Sequence, residues 1–162
     1  MKVVDNEIYL KEMLFLLQEN RQIAIPVSGN SMTPFLCGGR DFVILRKCEK
    51  NELRTGDIVL YRRIQGQFVL HRIQKIRGQN FYAIGDAQSV AEGPISVERI
   101  CGKVYGVQRK GRWLGHRNFF DWFFKKIWIH VIPLRRHILI IWNRIHFCLA
   151  FCFKSDRSHV VL

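Results

Sequence analysis

A chain of 162 residues, 48% hydrophobic and with 26 Lys and Arg against 13 Asp and Glu, is long enough for one domain with a real core plus an appendage. The charge is uneven: residues 1–102 hold 14 basic and 11 acidic residues, a net of +3, whereas 103–162 hold 12 and 2, a net of +10, so an ordinary soluble body is followed by a tail that seeks an anionic surface. Cys37, Cys48, Cys101, Cys148 and Cys152 include no C-x-x-C pair, which argues against a disulfide framework and a zinc site of common spacing; reduced thiols in a cytosolic protein, with no metal and no cofactor, are expected.

Residues 1–22 begin "MKVVDNEIYLKEMLFLLQEN", too acidic and too interrupted for a secretory signal. They read as an amphipathic helix with Ile8, Leu10, Met13, Leu14 and Leu17 roughly sharing a face. The stretch "IPVSGNSMTPFLCGGRD" (25–41) marks a sharp bend, where Gly29 relaxes the φ restriction and Pro34 fixes φ and removes a donor. Ser31 sits on that bend, after a β-like run. Strand-like runs then follow at short spacing: "DFVILRK", "GDIVLYRR", "QFVLHRIQKI", "NFYAIG" and "CGKVYGVQR". "IQGQ" and "RGQN" read as hairpin turns between them. This predicts a mainly-β body over 23–116, a curled antiparallel sheet or partly open barrel.

Over 117–162 the period changes. "NFFDWFFKKIWIHVI" puts Asn118, Asp121 and Lys125 near one face and a broad aromatic surface opposite, until Pro133 breaks the chain. Leu134, Ile138, Ile141, Ile145, Cys148 and Cys152 then recur at helical spacing, with Arg135, Arg136, Asn143 and Arg144 away from the stripe. A bilayer span needs ~20 mainly apolar residues, and a central Arg costs about 2.5–3.5 kcal/mol. Asn143, Arg144 and His146 interrupt 137–153. The expectation is helices lying in the membrane interface over 117–153, with packing on the β body or a partner, or a single C-terminal span, as the alternatives. Rings on a helical face rather than an exposed sheet argue against a nucleic-acid partner.

Three polar residues carry the candidate chemistry. Ser31 needs a base to become a nucleophile, His71 interrupts an apolar strand whose alternation groups Val69, His71 and Ile73, and Asp86 follows a strand in "IGDA". A carboxylate that fixes the imidazole tautomer would complete the set. The plainer readings are a surface turn for Ser31, a satisfied buried or edge histidine for His71 and a simple turn residue for Asp86, as for Asp57 in "TGDIV". Spacing alone does not bring the three together.

The boxes "V-x-G-x-S-M-x-P" (Val27, Gly29, Ser31, Met32, Pro34), "GDIV" (56–59), "HRIQKI" (71–76), "GDA" (85–87) and "CGKV" (101–104) resemble, in order and spacing, the signal peptidase I superfamily, which also contains the self-cleaving, LexA-like SOS repressors. The likeness covers roughly residues 23–106. His71 stands where the bacterial leader peptidases and the repressors have a lysine base, as in the endoplasmic-reticulum and archaeal branch. The whole chain also resembles small signal-peptidase-like proteins of Bacteroides and its relatives, which share "PVxGNSMxPF", "GRD", "VLHRI" and a tryptophan-rich tail similar to "WIHVIPLRRHIL".

The resemblance implies Ser31 as nucleophile, His71 as general base and Asp86 as the carboxylate orienting it. It implies an oxyanion held by the Ser31 N–H. A helper serine hydroxyl used by some relatives is Gly29 here, with Ser28 as the nearest substitute. Glu92 falls where the eukaryotic branch has a second aspartate. Together these predict a serine endopeptidase cutting a peptide or protein precursor, peripheral at the cytoplasmic face of the inner membrane. The alternative is a non-catalytic or self-cleaving regulator of the same fold that binds a membrane or protein partner through its basic tail.

Overall fold

The Val-, Ile- and Phe-rich runs pair into one open antiparallel sheet in the computed structural model, which describes residues 6–109, 111–114, 119–132, 134, 135, 137, 138, 140 and 141. The strands are β1 (Ile23–Pro26), β2 (Asp41–Arg46), β3 (Ile58–Arg62), β4 (Phe68–Arg77), β5 (Asn80–Ile84), β6 (Glu92–Ser96), β7 (Ile100–Arg109) and β8 (Arg112–Leu114). Their order is β1-β2-β7-β3-β4-β5-β6, and β8 pairs with the end of β7. The mainly-β expectation holds, as does each predicted strand and both hairpins. β6 and β8 lie outside the runs that the sequence marks as strands. "EGPIS" carries a glycine and a proline, which argue against a strand in sequence, yet Pro94 is tolerated because β6 lies at the sheet's edge and pairs only with β5. Register shifts at Ile44/Leu45, Leu60/Tyr61, Ile73/Lys75 and Phe81/Ala83 bend the strands they interrupt.

Strand alternation sends side chains to two cores. Ile58, Leu60 and Leu70 meet Met32, Phe35, Leu36, Val43 and Leu45 on one face. Val59, Tyr61, Val69 and Ile73 meet Phe81, Ala83 and Ile95 on the other. The N-terminal helix α1 (Asn6–Gln18) belongs to the first core: Met13 and Leu17 are buried in it, and Leu14 and Leu16 pack against it. Ile8 and Leu10 of the predicted stripe lie outside the described side chains. Asn20, at φ 61°, ends the helix in the left-handed conformation.

The segment read as a tail also enters this core. In α2 (Phe119–Lys126) and the 3-10 turn Trp128–His130, Phe124 and Trp128 join the first core and Ile129 is buried. Arg135, expected to face headgroups, is instead fully buried. Large apolar side chains also face outward: Trp122, Ile127, Leu134, Ile138, Ile140 and Ile141 are exposed, beside Lys126, His130 and His137. Asn118, the Asp121 side chain and everything from residue 142 onward, including Asn143, Ile145, Cys148 and Cys152, lie outside the described residues. Among those described, no helix is long and apolar enough to cross a membrane.

The loop after the Ser31 bend is closed by Asp41. Its buried carboxylate accepts from Arg40 Nε and Nη2 (2.9 and 2.8 Å), Arg109 Nε and Nη2 (3.1 and 3.2 Å) and the Cys37 N–H (3.0 Å). Burial pushes its pKa up, but these donors outweigh burial and hold it at about 2, below the ordinary 3.8. A depressed carboxylate contributes stability that is present above the unfolded value and lost as pH falls through the folded one. Urea melts of the protein are therefore expected to show stability falling between pH 4 and 2, and Asp41→Asn to be less stable at neutral pH and flatter across that window.

Candidate active site

β4 carries two consecutive buried polar residues, His71 (1% exposed) and Arg72 (0%), and a strand must send them to opposite faces. His71 falls on the side of Tyr61, its diagonal neighbour across the β3–β4 hairpin, where Val59 pairs with His71 and Tyr61 with Val69. Tyr61 O–H donates to Glu92 Oε2 (2.8 Å) and lies 3.2 Å from His71 Nδ1. Since that hydroxyl proton is committed to Glu92, the phenol oxygen accepts, and Nδ1 carries the imidazole proton. Nε2, which makes no hydrogen bond among the described residues, is left with its lone pair.

Glu92 is held by Arg63 through both Nε (2.8 Å) and Nη2, and its nearer oxygen stands 3.8 Å from His71 Nδ1. The Arg63 hydrogen bond is the main reason its pKa is lowered, so Glu92 is an anion. Burial, with Glu92's phenolic hydrogen bond added, pushes the Tyr61 hydroxyl far above its ordinary value. For His71, burial lowers the pKa and the Glu92 charge opposes that only in part. The result is a neutral imidazole of fixed tautomer.

Asp86 does not take the role expected of it. Both its carboxylate oxygens accept from Arg72, Oδ1 from Nε (2.9 Å) and Oδ2 from Nη2 (2.8 Å), on the face of β4 away from the His71 ring. Arg72 Nη1 donates to Gly56 O (2.9 Å), and the guanidinium is covered by the rings of Phe35 and Phe124. The carboxylate nearer to His71 is Glu92. Asp57 is a turn residue as read, accepting from the Arg54 N–H (2.9 Å), with Lys103 Nζ 2.7 Å away.

Ser31 lies in the turn between β1 and β2, half-exposed, and its carbonyl accepts from the Ala87 N–H (2.9 Å), which seats the turn on the loop leaving β5. Gly85 must be glycine, because a Cβ there would stand 2.5 Å from the Ser31 carbonyl oxygen. Met32 is buried in the first core and anchors the turn from below. Gly29 is at φ +72°, and Ser28 is exposed with no hydrogen bond among the described residues. Ser31 Oγ makes no hydrogen bond to His71 or to any other described residue, and the N–H groups of Ser31 and Met32 are likewise unengaged within that set. Among the described residues no cluster of His, Cys, Asp and Glu could hold a metal ion.

The family model described as Peptidase S24-like matches residues 2–105. The chain belongs to the Peptidase S24-like family. No curated protein matches it. The family places the LexA-like, signal-peptidase-like fold on this sheet and suggests serine peptidase chemistry in general. Within that family frame, four residues absent from the sequence reading shape the site: Tyr61, Arg63, Arg72 and Trp128. For Tyr61 a signal existed. The "IQGQ" turn sets the β3–β4 register, and that register places Tyr61 on the His71 face. Trp128 comes from a stretch outside the family match, and no local pattern pointed inward.

His71 is expected to titrate below 6.5 by NMR. Glu92→Gln removes the negative charge that favours the imidazolium, so it is expected to lower the His71 value further. A rise on Glu92→Gln would contradict this reading of the relay.

Proposed function

We propose that the protein is a serine endopeptidase that cuts a peptide or protein precursor, with Ser31 as nucleophile and His71 as general base. The observation that carries the reading is the Glu92–Tyr61–His71 relay: it fixes the proton on Nδ1 and leaves Nε2 as a base, which a merely structural histidine does not require. Ser31 Oγ attacks the scissile carbonyl while Nε2 takes its proton. The imidazolium so formed is stabilised through Tyr61 by the Glu92 carboxylate. The unengaged N–H groups of Ser31 and Met32 are the donors available to the oxyanion. Nε2 then returns the proton to the leaving amine, and water repeats the sequence on the acyl-enzyme.

An extended substrate suits the sheet. β1 pairs only with β2, and residues 68–71 of β4 pair with β3 but not with β5, so both present backbone edges among the described strands. A peptide added to such an edge as a strand would be held by main-chain hydrogen bonds.

We also propose that the site works at the cytoplasmic leaflet of a membrane. The basic C-terminal third and the exposed Ile127, Leu134, Ile138, Ile140 and Ile141 support an anionic lipid surface as the partner, and the free thiols of Cys37, Cys48 and Cys101 suit a reducing compartment.

A diverse peptide library incubated with the full chain and read by mass spectrometry is expected to give cuts that fall by about 10⁴-fold or more in Ser31→Ala and His71→Ala. The acid limb of kcat/KM is expected below pH 6.5, since His71 must be neutral to act and its pKa is lowered. Cuts that survive Ser31→Ala would remove Ser31 as the nucleophile, and none from the wild type would return the chain to a binding role. Separately, sedimentation with vesicles should show binding to anionic but not to neutral lipid, weakened by salt and by about tenfold in Ile138→Glu/Ile141→Glu. Equal binding to both vesicle types would remove the electrostatic part of this proposal.

A further inference from the structure

The loop that seats Ser31 is held from outside the family-matched region. Arg135 is fully buried, and among the described residues no carboxylate is within ion-pair distance of it. Its guanidinium is spent on main-chain carbonyls: Nη1 donates to Gly85 O (3.1 Å) and Gln88 O (3.2 Å), while Nε and Nη2 donate to Trp128 O (3.2 and 2.8 Å). The guanidinium also stacks over the Trp128 ring, 5.5 Å from its centroid. Trp128 Nε1 donates to Asp86 O (2.9 Å). Three of the four carbonyls from Gly85 to Gln88 thus point at Trp128 or Arg135, and the N–H of the remaining residue, Ala87, holds the Ser31 carbonyl.

Burying a cation without an ion-pair contact is costly, and burial accordingly lowers the Arg135 pKa, with the more distant Asp86 charge opposing it only in part. A side chain needed only to fill space here would be better apolar. What guanidinium adds is several fixed donors in one plane, able to set the position of a loop made of carbonyls. Loop and serine are rigidly joined, since Gly85 abuts the Ser31 carbonyl with no room for a methyl group.

We infer that Trp128 and Arg135 are positioning residues of the site: they fix the 85–88 loop, and through Ala87 they set where the Ser31 turn presents its hydroxyl. The inference rests on the peptidase reading above. It differs from a packing role in where the effect falls. The His71 hydrogen bond lies on the other face of β4, and the Asp86 carboxylate whose charge reaches His71 is held by Arg72 rather than by the clamp, so losing the clamp should change serine reactivity and leave the base as it was.

The test uses the full chain, with Trp128→Phe, which keeps a ring but loses the Nε1 donor, and Arg135→Lys, which keeps charge but loses the planar fork. Each is measured for the rate of covalent labelling of Ser31 by a fluorophosphonate, for the NMR titration of His71 and for thermal unfolding. Labelling is expected to slow by about ten- to a hundredfold, the scale of a small misplacement of a reacting group. The His71 titration should be unchanged, and each variant should melt cooperatively above the assay temperature. Wild-type labelling rates in either folded variant would overturn the inference while leaving the peptidase reading intact. No labelling of the wild type would overturn both. Should Arg135→Lys fail to fold, Trp128→Phe decides alone; should both fail, the pair holds up the fold itself and the inference of a positioning role is overturned.

Discussion

The structure turns on two adjacent side chains of β4 that cannot share a face. His71 and Arg72 are both buried, and the pleat sends one to each core. A buried imidazole and a buried guanidinium each cost free energy unless polar partners offset their desolvation. The sheet answers with two separate polar nests. On one side stand Tyr61, Glu92 and Arg63; on the other stand Asp86, the Gly56 carbonyl and the aromatic cover of Phe35 and Phe124. Each nest then recruits distant chain: β6 for the first, α2 for the second.

This split explains what the sequence disclosed. Strand runs, hairpin turns and the Ser31 bend were legible because each is written in local alternation or in Gly and Pro placement. The serine and histidine were legible as polar interruptions in ordered motifs. The partner carboxylate was not. "GDA" and "AEG" both offer an acid after β5, and choosing between them requires the face of β4 that each reaches. Arg72 decides the matter by engaging both oxygens of Asp86, and nothing in the linear order of boxes announces that the residue after the histidine will do so.

The C-terminal third was harder still, because its composition misleads. A net charge of +10 with many rings reads as a surface segment, and Ile127, Leu134, Ile138 and Ile141 do face outward. Phe124, Trp128, Ile129 and Arg135 of the same stretch face inward. Helical periodicity identifies a stripe but does not tell which side meets the body when both sides carry large apolar groups. An arginine in such a stretch is ordinarily assigned to solvent; here the cluster of loop carbonyls beneath it supplies a reason for burial that only the tertiary arrangement contains.

The tyrosine between carboxylate and imidazole has a chemical consequence of its own. A carboxylate in direct contact with a buried histidine favours the imidazolium and raises its pKa, and a protonated imidazole cannot serve as a base. With Tyr61 interposed, Glu92 stands 3.8 Å from Nδ1 and burial prevails, so His71 rests neutral. The longer side chain of Glu92, starting from the edge strand β6, spans the distance that the tyrosine occupies, and Arg63 keeps it from swinging onto the ring. In the proposed base role, a proton taken up at Nε2 would place the positive charge close to a carboxylate already aligned by that hydrogen bond. The arrangement therefore disfavours the charged imidazole at rest less by removing its partner than by spacing it, and that spacing is what the proposed base role requires: an imidazole neutral before a transfer and stabilised after it.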